Sequence, residues 1–195
     1  MVHQIIQKKK IDQHLKIDNL KKVNVIDNKG FGYGVLQGLY KAEGKILSYT
    51  HADNQTDPND VLKGLDFINF NKENNFLIKG NRVDLRKNNW KLFEIFITYS
   101  MSIFETILFQ KILYDIHAQP VIFHKDFLLK WRNPPNDFLI DLYIYYLAKK
   151  NKFKIERFPV QFDKKSRISG EGNNDNFIKT IINSFKRTFS SIILR

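Results

Sequence analysis

Short β-branched runs that break into a polar loop and then a helix constrain this chain more than any other feature. Residues 23–26 end at Asp27, Asn28, Lys29 and Gly30, which predicts a strand delivering the chain into a loop. A helix over about 33–42 follows, closed by Gly44. Residues 46–49 predict a second strand, THADNQTDP a second polar loop, and Asp57 with Pro58 the start of a helix to about residue 70. Residues 76–79 predict a third strand, ending in Gly80-Asn81-Arg82. This alternation points to an α/β layered domain, and the polar residues cluster just past the strands, where open α/β sheets place their ligands.

The second half reads as more helical. Residues 92–113 are apolar nearly all round, the mark of a helix buried on several sides or touching a membrane. Glu94, Glu105 and Lys111 interrupt the run and leave ten uncharged residues between the two Glu, too few for a span. After Pro134 and Pro135, Asp137 predicts a helix cap, with Leu139, Leu142, Tyr143, Tyr146 and Leu147 as its core face. Residues 153–162 alternate as a strand that Pro159 confines to an edge or bulge. A last amphipathic helix over about 177–193 carries Ile178, Ile181, Ile182, Phe185, Phe189 and Ile192 on one side. With no repeat or long linker, the reading is one domain over 1–172 and a helical tail over 173–195.

Composition narrows the partners. A net charge of +12 implies an anionic partner: nucleic acid, a membrane surface or a phosphorylated substrate. The aromatics fall on predicted core faces rather than between exposed Lys and Arg, which argues against nucleic acid. The absence of Cys removes disulfides and thiolate metal sites and suits a cytoplasmic location. Lys8, Lys9 and Lys10 break the apolar stretch a secretion signal needs, and residues 1–20 read as a solvated surface helix.

Several residues could carry chemistry. Asp53, just past a strand with Gln55 and Asp57 beside it and His51 nearby, can hold a hard divalent cation through its carboxylate and their oxygens, although Asp and Asn in such places also form turns. The glycines at 30, 32, 34 and 38 do not have G-x-G-x-x-G spacing and read as a loop permitting close backbone approach, with the following helix N-terminus available to a phosphate. Arg82 can clamp a phosphate or pair with Asp84. Lys164, Lys165 and Arg167 precede Ser169-Gly170-Glu171-Gly172, a basic flap or a solvated charge run. Asp137 and Asp141 lie one helical turn apart, so that one can act as a general base. None of the five His has zinc-hydrolase spacing.

Taken in order, these pieces resemble glycosyltransferase family 2, in its dolichol-phosphate mannosyltransferase and polyprenyl-phosphate sugar transferase branch, over roughly residues 18–172. NKGFGYGVLQGLYKAEGK is similar to the family's Asn/Gly loop and helix, HADNQTDP to its D-A-D-x-Q-x-x-P segment, and GNR to its G-x-R. DIHAQPVIFHKDFL, the acidic helix start, AKKNKFKIERFPV and the R-x-x-G at 167–170 continue the match. The resemblance implies a GT-A fold, a nucleoside diphosphate sugar donor, Mg²⁺ or Mn²⁺, a polyprenyl phosphate as one acceptor, and a place at the inner membrane face. It implies Asp53, Gln55 and His51 at the metal, and Arg82, Arg167, Lys165, Gly32 and Gln119 at the substrate. Asp141, or else Asp137, would stand near the acceptor. His51 departs from the family's first Asp, which removes one negative charge from the metal site. The family's P-x-Y-N-E and D-D-G-S strands have no counterpart here, so the resemblance implies a GT-A domain truncated at its N-terminus. The alternative is a degenerate or accessory relative that binds membrane or anionic glycan without catalysis.

Overall fold

The computed structural model describes residues 23–27, 29–53, 55–68, 74–163 and 165. The expectations for residues 1–20, for Lys164, Arg167 and the flap, and for the tail over 173–195 lie outside them. The described chain is mixed α/β with a small mixed sheet. Its elements run α1 (Phe31–Lys41), β1 (Ile46–Tyr49), α2 (Asp60–Leu65), β2 (Phe76–Arg82), α3 (Leu92–Phe109), β3 (Val121–His124), a 3₁₀ turn (Lys125–Lys130), α4 (Ile140–Lys150) and β4 (Lys154–Val160).

The sheet order is β1-β3-β2-β4. β3 runs antiparallel to both β1 and β2, whereas β4 is parallel to β2. Tyr49, Val121, Lys79 and Arg157 therefore line up across the sheet, and β1, β2 and β4 all deliver their C-terminal ends to one rim. The period of two builds a core on each face. Leu47, Leu77, Val121 and Phe123 point to the face covered by α1, α4 and the 3₁₀ turn, where they meet Leu36, Phe127, Ile140 and Tyr145. Ile78, Ile122, Phe158 and Val160 point the other way, against Ile68 and Leu65 by α2. Lys79 shares the parity of Leu77, so a cation is sent toward α4.

Four expectations change. Residues 23–26 form no strand: they find no sheet neighbour, and Ile26 is 97% exposed. The helix after Pro58 is confined to Asp60–Leu65. The helix after residue 92 is not buried on several sides. Of its 18 residues only Glu94, Ser102, Glu105 and Phe109 are buried, while Leu92, Phe96, Tyr99, Ile103 and Ile107 are exposed. In α4 the most buried positions are Ile140, Asp141, Leu142, Ile144, Tyr145 and Ala148, with Tyr143, Tyr146 and Leu147 only partly covered, because the helix lies between the sheet and the segment leading into it. β4 is at a sheet edge, as Pro159 requires.

Gly32 has a specific structural use. A Cβ there would lie 2.5 Å from the Asp137 carbonyl oxygen and 2.7 Å from that of Pro135. Its absence lets the start of α1 press against residues 135–137, where the Tyr33 N–H donates to the Asn136 carbonyl at 2.8 Å. Gly32→Ala is expected to cost about 1–3 kcal/mol by overpacking. Gly34→Ala, where a Cβ meets nothing, should instead gain up to about 1 kcal/mol of helix propensity. Urea midpoints of the two variants measure the contrast.

Candidate functional site at the C-terminal rim of the sheet

The rim gathers His51 and Asp53 after β1, Arg82 at the end of β2, Gln119 just before β3, and Phe162 and Asp163 after β4. From the first turn of α4, Asp141 reaches the same end of the sheet. Its Oδ1 accepts the Tyr49 hydroxyl at 2.7 Å, and its Oδ2 faces His117 Nδ1 at 3.1 Å. Burial would raise the Asp141 carboxyl, but the His117 contact, the Lys79 charge and the Tyr49 hydroxyl together hold it below the usual carboxylate range. Tyr49 shows the counterpart, since burial first and then Asp141 push its hydroxyl well above the ordinary tyrosine value.

Lys79 is 1% exposed and donates to the Ala118 carbonyl. Burial brings its ammonium down to about 7, with Asp141 and Asp115 resisting and Arg157 and Arg82 assisting. His51 is likewise held below its ordinary value by burial; the charges of Asp53 and Asp141 act upward on it, and those of Arg82 and Lys79 downward. Asp53, Asp141, Arg82 and Lys79 thus share one electrostatic neighbourhood around this imidazole, whose ring packs edge-on to Phe162 at 5.4 Å.

A second cluster adjoins the first. Asp115 accepts the Arg82 backbone N–H and Nε, both at 2.6 Å, and Arg157 Nη2 lies 3.6 Å from its Oδ2. Burial opposes the Asp115 charge, yet Arg82 and Arg157 hold its carboxyl below the ordinary range. Two guanidiniums share one carboxylate, which favours an additional anion. Aromatic faces flank both cations: Trp90 is 4.9 Å from the Arg82 guanidinium carbon and Tyr114 4.5 Å from that of Arg157. A cavity of about 680 Å³ opens beside Arg82 and is lined also by Arg86, Lys87, Thr98, Tyr99 and Tyr114.

The remaining sequence candidates are placed as follows. Gln119 is 1% exposed, and neither atom of its amide group has a hydrogen-bond partner among the described residues. Gln55 is buried, donating from Nε2 to the Asp163 carbonyl at 3.3 Å, while its backbone N–H donates to Asp53 Oδ1 at 3.2 Å. Asp137 is exposed and accepts the Leu139 N–H at 2.9 Å, a turn role that keeps it apart from Asp141's partners. Lys165 is exposed and donates its backbone N–H to Asp163 at 3.0 Å. Gly32 packs backbone against residues 135–137, and Arg167 lies outside the described residues.

Tyr49, Lys79, Asp115, His117 and Arg157 belong to the site without having been singled out for it. Lys79 had a visible signal, a charge at an inward position of an otherwise apolar strand. Asp115, His117 and Arg157 lie in segments quoted for the resemblance but without a role, and Tyr49 had no signal, because each is defined by a partner far along the chain.

Among the described residues no group of three or more His, Cys, Asp or Glu is placed to hold a metal ion. His51, its imidazole kept neutral by burial, and Asp53 would supply two protein donors. Of the two, Asp53 is the hard oxygen donor that Mg²⁺ or Mn²⁺ takes, with phosphate and water completing the shell, and the imidazole favours Mn²⁺ over Mg²⁺.

Comparison with family models, curated proteins and solved structures finds no match to this chain. The functional reading therefore stands on the residues and their geometry.

Proposed function

We propose that this chain is a glycosyltransferase domain of the GT-A type that moves a sugar from a nucleoside diphosphate sugar to an acceptor, with Mg²⁺ or Mn²⁺ and with a polyprenyl phosphate as one acceptor class. The observation that carries this reading is the convergence at one rim of four groups the resemblance had pointed to separately: His51, Asp53, Arg82 and Asp141. The small mixed sheet is compatible with the α/β class to which that fold belongs.

In this reading Arg82, held rigid by Asp115 and Trp90, meets a phosphate oxygen beside the cavity. The buried Gln119 amide offers a donor and an acceptor to a ligand group, whose absence would cost about 1–3 kcal/mol. Asp53 and His51 would hold the metal, which when bound neutralises charge on the departing diphosphate. Asp141 stays ionised and fixes His117 through Nδ1. Asp141 is fully enclosed, whereas the His117 side chain is 34% exposed, so the imidazole is the member of the pair that an acceptor hydroxyl can reach. His117 would take the hydroxyl proton as its oxygen bonds to the sugar's anomeric carbon and the nucleoside diphosphate leaves. A phosphate acceptor arrives already ionised, and Asp141 and His117 would then act by position alone.

A thermal-shift titration with UDP and GDP in the presence of Mn²⁺ tests the donor half. At a concentration a hundred times its Kd, one nucleotide should add about 2.7 kcal/mol, a rise of roughly 5–10 °C for a domain of this size. If neither nucleotide moves the transition, the donor reading fails for this chain.

A further inference from the structure

The side of α3 turned away from the described residues is apolar. Leu92, Phe96, Tyr99, Ile103 and Ile107 are each 61–72% exposed, and they are all of the exposed positions of this helix. At 100° per residue they fall within an arc of about 80°, one continuous apolar stripe about 22 Å long. Ile112, just beyond the helix, is exposed as well. The polar residues face inward: Glu94 turns back to accept the Lys91 N–H at 2.9 Å, while Thr98 and Ser102 line the cavity and donate to carbonyls one turn back. The exposed side is thus apolar, the reverse of a water-facing surface helix, while the charged residues of α3 are on its covered side.

Its ends identify the occupant. Lys87 and Lys91 are exposed before the stripe and Lys111 after it, and no carboxylate of α3 is exposed. A second copy packed antiparallel on this face would set Lys91 of one chain against Lys111 of the other, on molecules already at +12 each. A bilayer with anionic headgroups satisfies both features together, taking the apolar side chains into its acyl boundary and the lysines at its phosphates. Among the described residues one side of α3 rests on protein and the opposite side is exposed, the geometry of a helix lying in an interface rather than crossing it.

We infer that the α3 stripe docks this chain on an anionic phospholipid bilayer. Tyr99 belongs both to the stripe and to the wall of the Arg82 cavity, so docking brings the cavity, with Arg86 and Lys87 in its lining, to the headgroup level. This deepens the acceptor side of the reading above and rests on it only for what enters the cavity. Docking itself stands on α3.

The test floats the full chain with vesicles of phosphatidylglycerol and phosphatidylcholine, beside vesicles of phosphatidylcholine alone. The wild type should rise with the anionic vesicles, and Ile103→Glu with Ile107→Glu should reduce the floated fraction about tenfold or more. Both positions are exposed, so circular dichroism should be unchanged. If that variant loses its fold, Leu92→Gln with Phe96→Gln is read in its place. Flotation unaffected by the stripe variants would assign binding to another part of the chain, such as residues 173–195, and overturn the inference. So would a wild type that stays at the bottom of the gradient, or one that sediments as a dimer while the variant is a monomer. Neither pair of substitutions touches His51, Asp53 or Arg82, so the nucleotide titration separates failure of docking from failure of the donor reading.

Discussion

Asp141→Asn is expected to cost about 3–5 kcal/mol of stability, as when one partner of a buried ionic cluster is removed, and to lower sugar transfer by about 10²–10⁴-fold. The volume barely changes, so the loss follows from charge. Lys79, 1% exposed, keeps its Ala118 carbonyl but loses the largest charge that favours its protonated form. Its folded pKa, already about 7, falls further below the unfolded value near 10.5. A depressed lysine pKa withholds stability below the folded value, so the deficit of the variant should grow as pH falls under about 7. Lys79→Met added to Asp141→Asn should recover much of the stability and none of the transfer. His117→Ala should do the reverse, losing transfer while keeping most of the stability, because its ring is partly exposed. Urea midpoints across pH, with nucleoside diphosphate release as the activity, measure both. A pH-independent loss would remove Lys79 from the account.

How much of this was legible depended on how local the cause was. The strand at 46–49 was readable to the residue, and β4 with its edge position followed from alternation and Pro159, since strand parity and the missing proline N–H are properties of the strand alone. Residues 23–26 have the same β-branched character and fail as a strand because pairing needs a neighbour that composition does not supply. β3 went unread for the converse reason: Val121–His124 has no polar loop behind it to mark it, yet it lies between β1 and β2 and is buried on both faces. In α3 the apolar content was plain, but no periodicity tells which side meets protein and which meets something else.

The site divides in the same way. His51, Asp53 and Arg82 stood out because they follow strand ends within a few residues. Asp141 was found one turn from Asp137, but its partners were not: Tyr49 is 92 positions away and His117 is 24. Arg82 has Asp84 as an ion-pair candidate close by in the sequence, with a phosphate as its other candidate, and in space takes Asp115, 33 positions on. Gly32, read toward substrate, is required where α1 crosses residues 135–137.

Asp115→Asn should destabilise the chain by about 3–5 kcal/mol while strengthening its binding of inorganic pyrophosphate. Asp115 has φ 44°, a left-handed conformation that Asn adopts as readily as Asp, so the backbone is not the cause of any loss. What changes is that Arg82 and Arg157, both largely buried, no longer share a carboxylate, and Lys79 stands opposite Arg157 in the register of β2 and β4. Two guanidiniums then lie together with one negative charge fewer, and an anion entering beside Arg82 relieves them. Pyrophosphate should therefore raise the melting temperature of the variant more than that of the wild type, and Arg157→Met in the same background should both restore stability and blunt the pyrophosphate effect. A merely structural Asp115 would give the first loss with no change in anion response. Equal pyrophosphate shifts in both proteins would mean that the phosphate of the substrate does not approach Arg82, and the placement of the diphosphate at this end of the sheet would fall with it.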